Sequence, residues 1–287
     1  MANHTTPAKT FALGGELTLN RMGYGAMRIT GDGIWGPPQD HAEAIRVLQR
    51  AVELGINFID TADSYGPHVS EELIAEALHP YASGLIIGTK GGLLRTGPNQ
   101  WPIDASPEHL RQALEGSLQR LKLAQIDLYQ LHRVDPNVPF EKTLEFLQKA
   151  QEEGLIKHIG LSEVTVEQIQ QAQQYVNVVS VQNMYSVDNR KWEAELEFCE
   201  QNGLAFIPWY PLAGGNEQAL SKLTQIGEKH GASKQQVALS WLLHRSPNIL
   251  LIPGTSKVKH LEENVKAADI QLSAEDMAEL ENLGGQA

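Results

Sequence analysis

The chain has 287 residues, enough for one large domain or two small ones. At 41% hydrophobic and 20% charged, its composition is that of an ordinary globular protein and excludes a disordered or fibrous chain. With 23 Lys and Arg against 35 Asp and Glu, the net charge of −12 excludes nucleic acid as a general partner, because phosphate binding needs a cationic surface; a local basic patch for a small anion stays compatible.

Met1 to Thr10 is polar and lacks the apolar core of a signal peptide. No apolar run approaches the ~18 residues of a transmembrane helix, so no membrane partner is expected. The single cysteine, Cys199, supports neither an internal disulfide nor a Cys-based zinc site, and it has no basic neighbour to make it a nucleophile. A soluble cytoplasmic protein is the expectation.

Phe11–Leu19, with Gly14-Gly15 at its centre, reads as a hairpin. A unit then recurs: short apolar strand, polar turn, amphipathic helix. Strands are predicted at Met22–Ala26, Asn57–Thr61, Leu85–Thr89, Ile126–Leu131, Ile156–Leu161, Val178–Gln182, Ala205–Trp209 and Ile249–Ile252. Most are apolar on both faces, as buried parallel strands are. Helix starts are marked by Asp40 with Glu43, by Ser106-Pro107, and by the capping-box pairs Thr165/Gln168 and Ser233/Gln236. Gly55, Gly154 and Gly203 stand where helices end.

Eight strands alternating with helices predict an α/β fold, a (β/α)8 TIM barrel forming a single domain over residues 1–287. The hairpin is expected to close the barrel bottom, with extra helices at the C-terminal end. A doubly wound open sheet is the alternative. Its phosphate fingerprint is matched by Gly31-Asp32-Gly33-Ile34-Trp35-Gly36, but Pro37-Pro38 follows and no helix opens there, so the match reads as an ordinary loop.

Active sites of such barrels lie at the C-terminal ends of the strands. Asp60, Tyr65, Lys90 and His132 fall at or just beyond three successive strand ends. A phenol is a poor proton donor at neutral pH. An adjacent ammonium stabilises its phenolate, a carboxylate fixes the ammonium, and an imidazole orients a substrate oxygen. Each residue alone also reads as a turn, packing or solvated residue; the four together point to protonating an oxygen as hydride reaches the adjacent carbon.

Several segments, in order from about Leu19 to the C-terminus, resemble the aldo-keto reductase family. They are Gly55–Ala62 with Tyr65-Gly66, Thr89-Lys90, Asp127–His132, Ile159–Ser162, Val181–Asn183, and Ile252–Thr255 with Glu263-Asn264. Asn20–Met27, Gly36–Pro38 and Arg245–Thr255 are most similar to bacterial pyridoxal reductase-like members. The resemblance implies reversible reduction of an aldehyde or ketone with NADPH bound across the barrel top. Tyr65 is then the proton donor, Lys90 its pKa-lowering partner, Asp60 the anchor of Lys90, and His132 the carbonyl-orienting group. It assigns cofactor contacts to Ser162, Glu163, Gln182, Trp209, Tyr210, Pro211, Leu212, Gly214, Gly254, Thr255, Ser256, Lys257, His260, Glu263 and Asn264.

Trp209 stands where the family usually has Tyr, Glu163 where many members have Asn, and His260 where Arg is common. Two lysines and a histidine within Lys257–His260, at a predicted helix start, suit an adenosine 2′-phosphate and favour NADP over NAD. Trp35 and Trp101 lie in loops suited to walling a pocket for aromatic aldehydes. The expected partner is a small carbonyl substrate, and the expected state a monomer or weak oligomer. Two alternatives carry less: a redox-sensing subunit like the potassium-channel β subunits, and a metal-dependent hydrolase. His132 is the only histidine at a predicted strand end, and no metal-ligand spacing accompanies it.

Overall fold

Alternating apolar residues from Phe11 to Leu19 fold back on themselves around Gly14 and Gly15, both in the left-handed region. In the computed structural model, which describes residues 8–212 and 217–284, this gives the antiparallel pair β1 (Thr10–Leu13) and β2 (Leu17–Asn20). Seven parallel strands follow in chain order: β3 (Tyr24–Gly25), β4 (Phe58–Asp60), β5 (Ile86–Gly91), β6 (Ile126–Leu131), β7 (Ile156–Ser162), β8 (Val178–Gln182) and β9 (Ala205–Phe206). Between them lie α1 (His41–Glu53), α2 (Val69–Leu78), α3 (Pro107–Leu121), α4 (Phe140–Glu152), α5 (Val166–Ala172) and α6 (Glu193–Asn202). After β9 come α7 (Glu217–His230), α8 (Lys234–Arg245), α9 (Val258–Lys266) and α10 (Ala274–Glu281).

The helix starts follow the predicted chemistry. Asp40 accepts from the Glu43 amide, Ser106 from that of His109, and Thr165/Gln168 and Ser233/Gln236 form complete capping boxes. The glycine-rich run 31–36 is a loop closed by Gly31 N–H to the Gly36 carbonyl, with α1 opening only at His41. Cys199 is buried on α6, and burial pushes its thiol up, away from nucleophilic range.

Strand period two sorts the core. Ile59, Ile87, Tyr129 and Val178 join the large cluster shared with the helices. Their neighbours Phe58, Ile86, Leu128 and Val179 point to the opposite face and pack with Leu13 and Leu19 of the hairpin. The hairpin thus covers the interior at the N-terminal ends of the strands, leaving the C-terminal rim for the site.

The predicted eighth strand, Ile249–Ile252, is not a full strand. Its residues make single bridges, Ile249 to Phe206 and Leu251 to Met22. Hydrogen bonds run from Leu250 N–H to the Phe206 carbonyl (2.9 Å) and from Gly23 N–H to the Leu251 carbonyl (2.8 Å). Pro247 before and Pro253 after lack the N–H groups a longer ladder needs. The segment therefore touches both edges of the seven-stranded sheet, by one bridge each.

Arg21 fastens this junction. It is 2% exposed and donates to the carbonyls of Ile249 (2.9 Å), Leu243 (3.1 Å), Ala8 (3.1 Å) and Ser246. Burial pulls its pKa down to about 10, so it stays charged at neutral pH. Arg21→Met leaves buried carbonyls unpaired and is expected to lower the unfolding free energy by about 3 kcal/mol in urea titration. An unchanged midpoint would show that these bonds contribute nothing net.

Candidate active site

Parallel register brings the predicted residues to one rim. Asp60 pairs with Gly88 in the sheet, Lys90 with Gln130, and Ser162 with Gln182. Gly88 leaves room for Phe58, whose ring lies 3.0 Å from where a Cβ would sit. Lys90 Nζ donates to Asp60 Oδ2 at 2.6 Å, to the Thr61 carbonyl at 2.9 Å and to Tyr65 Oη at 3.5 Å. The Lys90 and Asp60 side chains are 0% and 3% exposed. Asp60 Oδ1 accepts from Gln130 and Gln182, each at 3.0 Å, so Gln182 serves the carboxylate here as well as facing the rim. The His132 and Tyr65 rings meet edge to face, 5.9 Å apart.

Burial alone lowers the Lys90 ammonium, but Asp60 and Tyr65 outweigh it and the net direction is up, so Lys90 stays protonated. The Tyr65 phenol moves against the expectation set by Lys90. Burial pushes it above its usual value, and Lys90 only partly opposes this, so Tyr65 holds its proton at neutral pH. His132 is held well below the usual imidazole range by burial, then by the Lys90 and Arg133 charges, and is neutral.

Beyond β7 and β9 the two departures from the family pattern bind each other. Glu163, at φ 55°, accepts through Oε1 from Trp209 Nε1 (2.7 Å) and from the Met184 amide (2.8 Å). Its carboxylate is thus engaged in fixing the Trp209 ring. Ser162 Oγ accepts from Arg133 (3.1 Å), whose guanidinium lies over Trp209 at 5.8 Å. Tyr210 is 54% exposed, Pro211 is buried and Leu212 half-buried. Gly214 lies outside the described residues.

The other end of the rim is a cleft of about 490 Å³ lined by Gly254, Thr255, Ser256 and Lys257 together with Arg28, Thr30 and the 31–34 loop. Its floor is a backbone contact: a Cβ on Gly254 would lie 2.9 Å from the Gly25 carbonyl. Helix α9 starts at this cleft with no bond from its N-cap Lys257 side chain, Glu43 Oε1 accepting from the Val258 amide at 3.0 Å instead; His260 is exposed on it, Glu263 half-buried and Asn264 buried. Among the described residues, Arg28 and Lys257 have no ion-pair partner, which suits an incoming anion. Trp101 lies edge-on to Tyr65, 6.4 Å between centroids, and Trp35 stands in the facing loop, 37% exposed.

Arg28, Arg95 and Arg133 were missed in the sequence. Arg28 follows the first strand's Gly-Tyr-Gly and Arg133 follows His132, so both carried a positional signal; Arg95, whose bonds are described below, carried none. Among the described residues, no group of three or more His, Cys, Asp or Glu is placed to hold a metal, and no helix is long and apolar enough to cross a membrane.

The fold is a parallel α/β sheet with a buried Asp–Lys–Tyr chain at its C-terminal rim. Residues 21–284 match the aldo/keto reductase family. The chain is 58% identical over 274 residues to an uncharacterized oxidoreductase of Schizosaccharomyces pombe, covering 94% of this chain and 88% of that protein. It is 43% identical over 282 residues to the pyridoxine 4-dehydrogenase of Escherichia coli, covering 96% and 98%. An aldo-keto reductase from Klebsiella pneumoniae, solved in complex with NADPH, superposes with a TM-score of 0.81 at 26% identity, covering 97% of this chain and 96% of that one. The chain belongs to the aldo/keto reductase family and is an oxidoreductase.

The neutral His132 has a consequence for pH. Below its ordinary value of 6.5 the unfolded chain binds a proton there that the folded chain does not, so stability falls as pH falls. The slope approaches about 1.4 kcal/mol per pH unit below pH 6. Thermal melts from pH 7 to pH 5 are expected to show a shallower decline for His132→Gln than for wild type. Parallel declines would mean that His132 is charged in the folded protein.

Proposed function

We propose that this protein reduces aldehydes and ketones to alcohols with NADPH, and that flat aromatic aldehydes, pyridoxal among them, suit its pocket. One observation carries the reading: Tyr65 Oη, Lys90 Nζ and Asp60 Oδ2 form a buried chain of 3.5 and 2.6 Å. The relatives and the NADPH-bound neighbour support the same chemistry.

The residues fit the dinucleotide. Arg28 and Lys257, at the start of α9, offer cationic groups for its phosphates. The Trp209 ring, held by Glu163, offers a flat face beside the catalytic residues. When bound, NADPH supplies the hydride that reaches the carbonyl carbon. Tyr65 gives its phenol proton to the carbonyl oxygen, and the alcohol forms. The Lys90 ammonium stabilises the phenolate left behind, and solvent returns the proton. Asp60 keeps Lys90 charged and aimed. Neutral His132 orients the oxygen without competing as a cation. We further infer that residues 249–251 serve as the eighth stave of a closed barrel forming one domain, which the paired bridges to Met22 and Phe206 support.

NADPH oxidation is measured with pyridoxal, 4-nitrobenzaldehyde, methylglyoxal and a simple ketone. Turnover with at least one is expected. Tight NADPH binding without turnover of any carbonyl would move the assignment to a redox sensor. Tyr65→Phe should bind NADPH as wild type does and lose ~10²–10⁴-fold in kcat, the range for losing a general acid; near-full activity would remove Tyr65 as donor. Lys257→Ala should cut the preference for NADPH over NADH about tenfold, the effect of one charge-assisted phosphate contact. An equal loss with both cofactors would place Lys257 away from the 2′-phosphate.

A further inference from the structure

Arg95 follows β5 and sits in none of the roles above. A guanidinium has five N–H donors. Those of Arg95 reach five backbone carbonyls: Gln100 (3.0 Å) from Nε, Ile34 (2.6 Å) and Ser64 (2.8 Å) from Nη1, and Gly33 (3.0 Å) and Gly97 (3.3 Å) from Nη2. No carboxylate lies within ion-pair range among the described residues. The same group lies over two indoles, 3.7 Å from the Trp101 ring centroid and 5.5 Å from that of Trp35. One side chain therefore ties three rim loops, those after β3, β4 and β5.

What it ties is the wall around the proton donor. Ile34, Ala62 and Tyr65 form a separate buried cluster with Met27 and Trp101 packed on it. Ser64, whose carbonyl Arg95 holds, precedes Tyr65. Ile34 and Asn99 both sit in the left-handed region, at φ 56°, a costly conformation for a β-branched residue. Ile34 is held there by Arg95, and the Asn99 amide donates to the Gly33 carbonyl at 3.0 Å. Among the described residues the loops carry only single bridges, Trp35–Gly66 between the first two and Leu93–Ile103 and Gly97–Gln100 within the third. The guanidinium adds side-chain bonds that reach all three loops at once.

We propose that Arg95 is a positioning residue that sets the Trp35–Trp101 wall and thereby the preference for flat aromatic carbonyls over small aliphatic ones. This rests on the carbonyl-reductase reading. Lysine cannot replace it, since three donors on a flexible stem match neither the five carbonyls nor the planar stack.

The test compares wild type, Arg95→Ala and Arg95→Lys for NADPH affinity and for KM and kcat with 4-nitrobenzaldehyde and methylglyoxal. The expected result is unchanged NADPH affinity, a KM for 4-nitrobenzaldehyde raised about tenfold or more, and a methylglyoxal KM little altered; displaced walls cost on this scale. Equal losses with both aldehydes, or none, would overturn the proposal. Should Arg95→Ala not fold, Arg95→Lys is judged by the same split. Should wild type oxidise NADPH with no carbonyl, the functional reading fails, and Arg95 is judged on near-ultraviolet circular dichroism instead. Loss of the tryptophan bands with far-ultraviolet signal intact would support the positioning role, and an unchanged spectrum would sink it.

Discussion

The Lys90–Asp60 ion pair is the constraint on which the site depends. Both side chains are essentially sealed from water. Desolvating two charges costs several kcal/mol each, and only close geometry with further hydrogen bonds offsets it. The structure supplies both. Asp60 Oδ2 faces Lys90, Oδ1 takes amides from two neighbouring strands, and Lys90 finds the Thr61 carbonyl. Apolar pairs of similar volume are often at least as stable as buried ion pairs. What the charged pair provides is a fixed ammonium beside a buried phenol, in a place where water cannot screen it.

That arrangement separates two tasks. Burial keeps Tyr65 protonated at rest, and in the proposed reaction Lys90 lowers the cost of losing the proton. A phenol shifted down in the resting site would lose its proton before the substrate arrived. The upward net direction is therefore consistent with a donor, although Lys90 alone argues the reverse. His132 follows the same logic from the opposite side: burial first, and then its cationic neighbours, keep it neutral.

Much of this was legible because strand ends and caps are local signals. Asp40, Ser106, Thr165 and Ser233 each announce a helix within four residues, and β6 and β8 have their predicted bounds. Asp60, Lys90 and His132 stand out because an apolar run stops at each. The eighth strand was over-read: its apolar pattern is real, but prolines on either side restrict its pairing to single bridges. Contacts between distant loops left no pattern. Glu163 and Trp209 were two separate oddities until their hydrogen bond joined them, and Arg95 reaches carbonyls some 31 and 62 positions away, where any residue type would serve as acceptor.

The same distinction governs where change is tolerated. A backbone carbonyl accepts a hydrogen bond whatever its side chain, so the loops around Arg95 are free to vary in sequence while keeping their geometry. Ile34 is different: a β-branched residue in the left-handed region carries a local penalty that the surrounding bonds offset, whereas Asn99 is of a type that tolerates that region. Strain of this kind persists where a surface must hold one shape. The wall beside Tyr65 is such a surface, and one cation with five carbonyl partners joins its loops above the sheet.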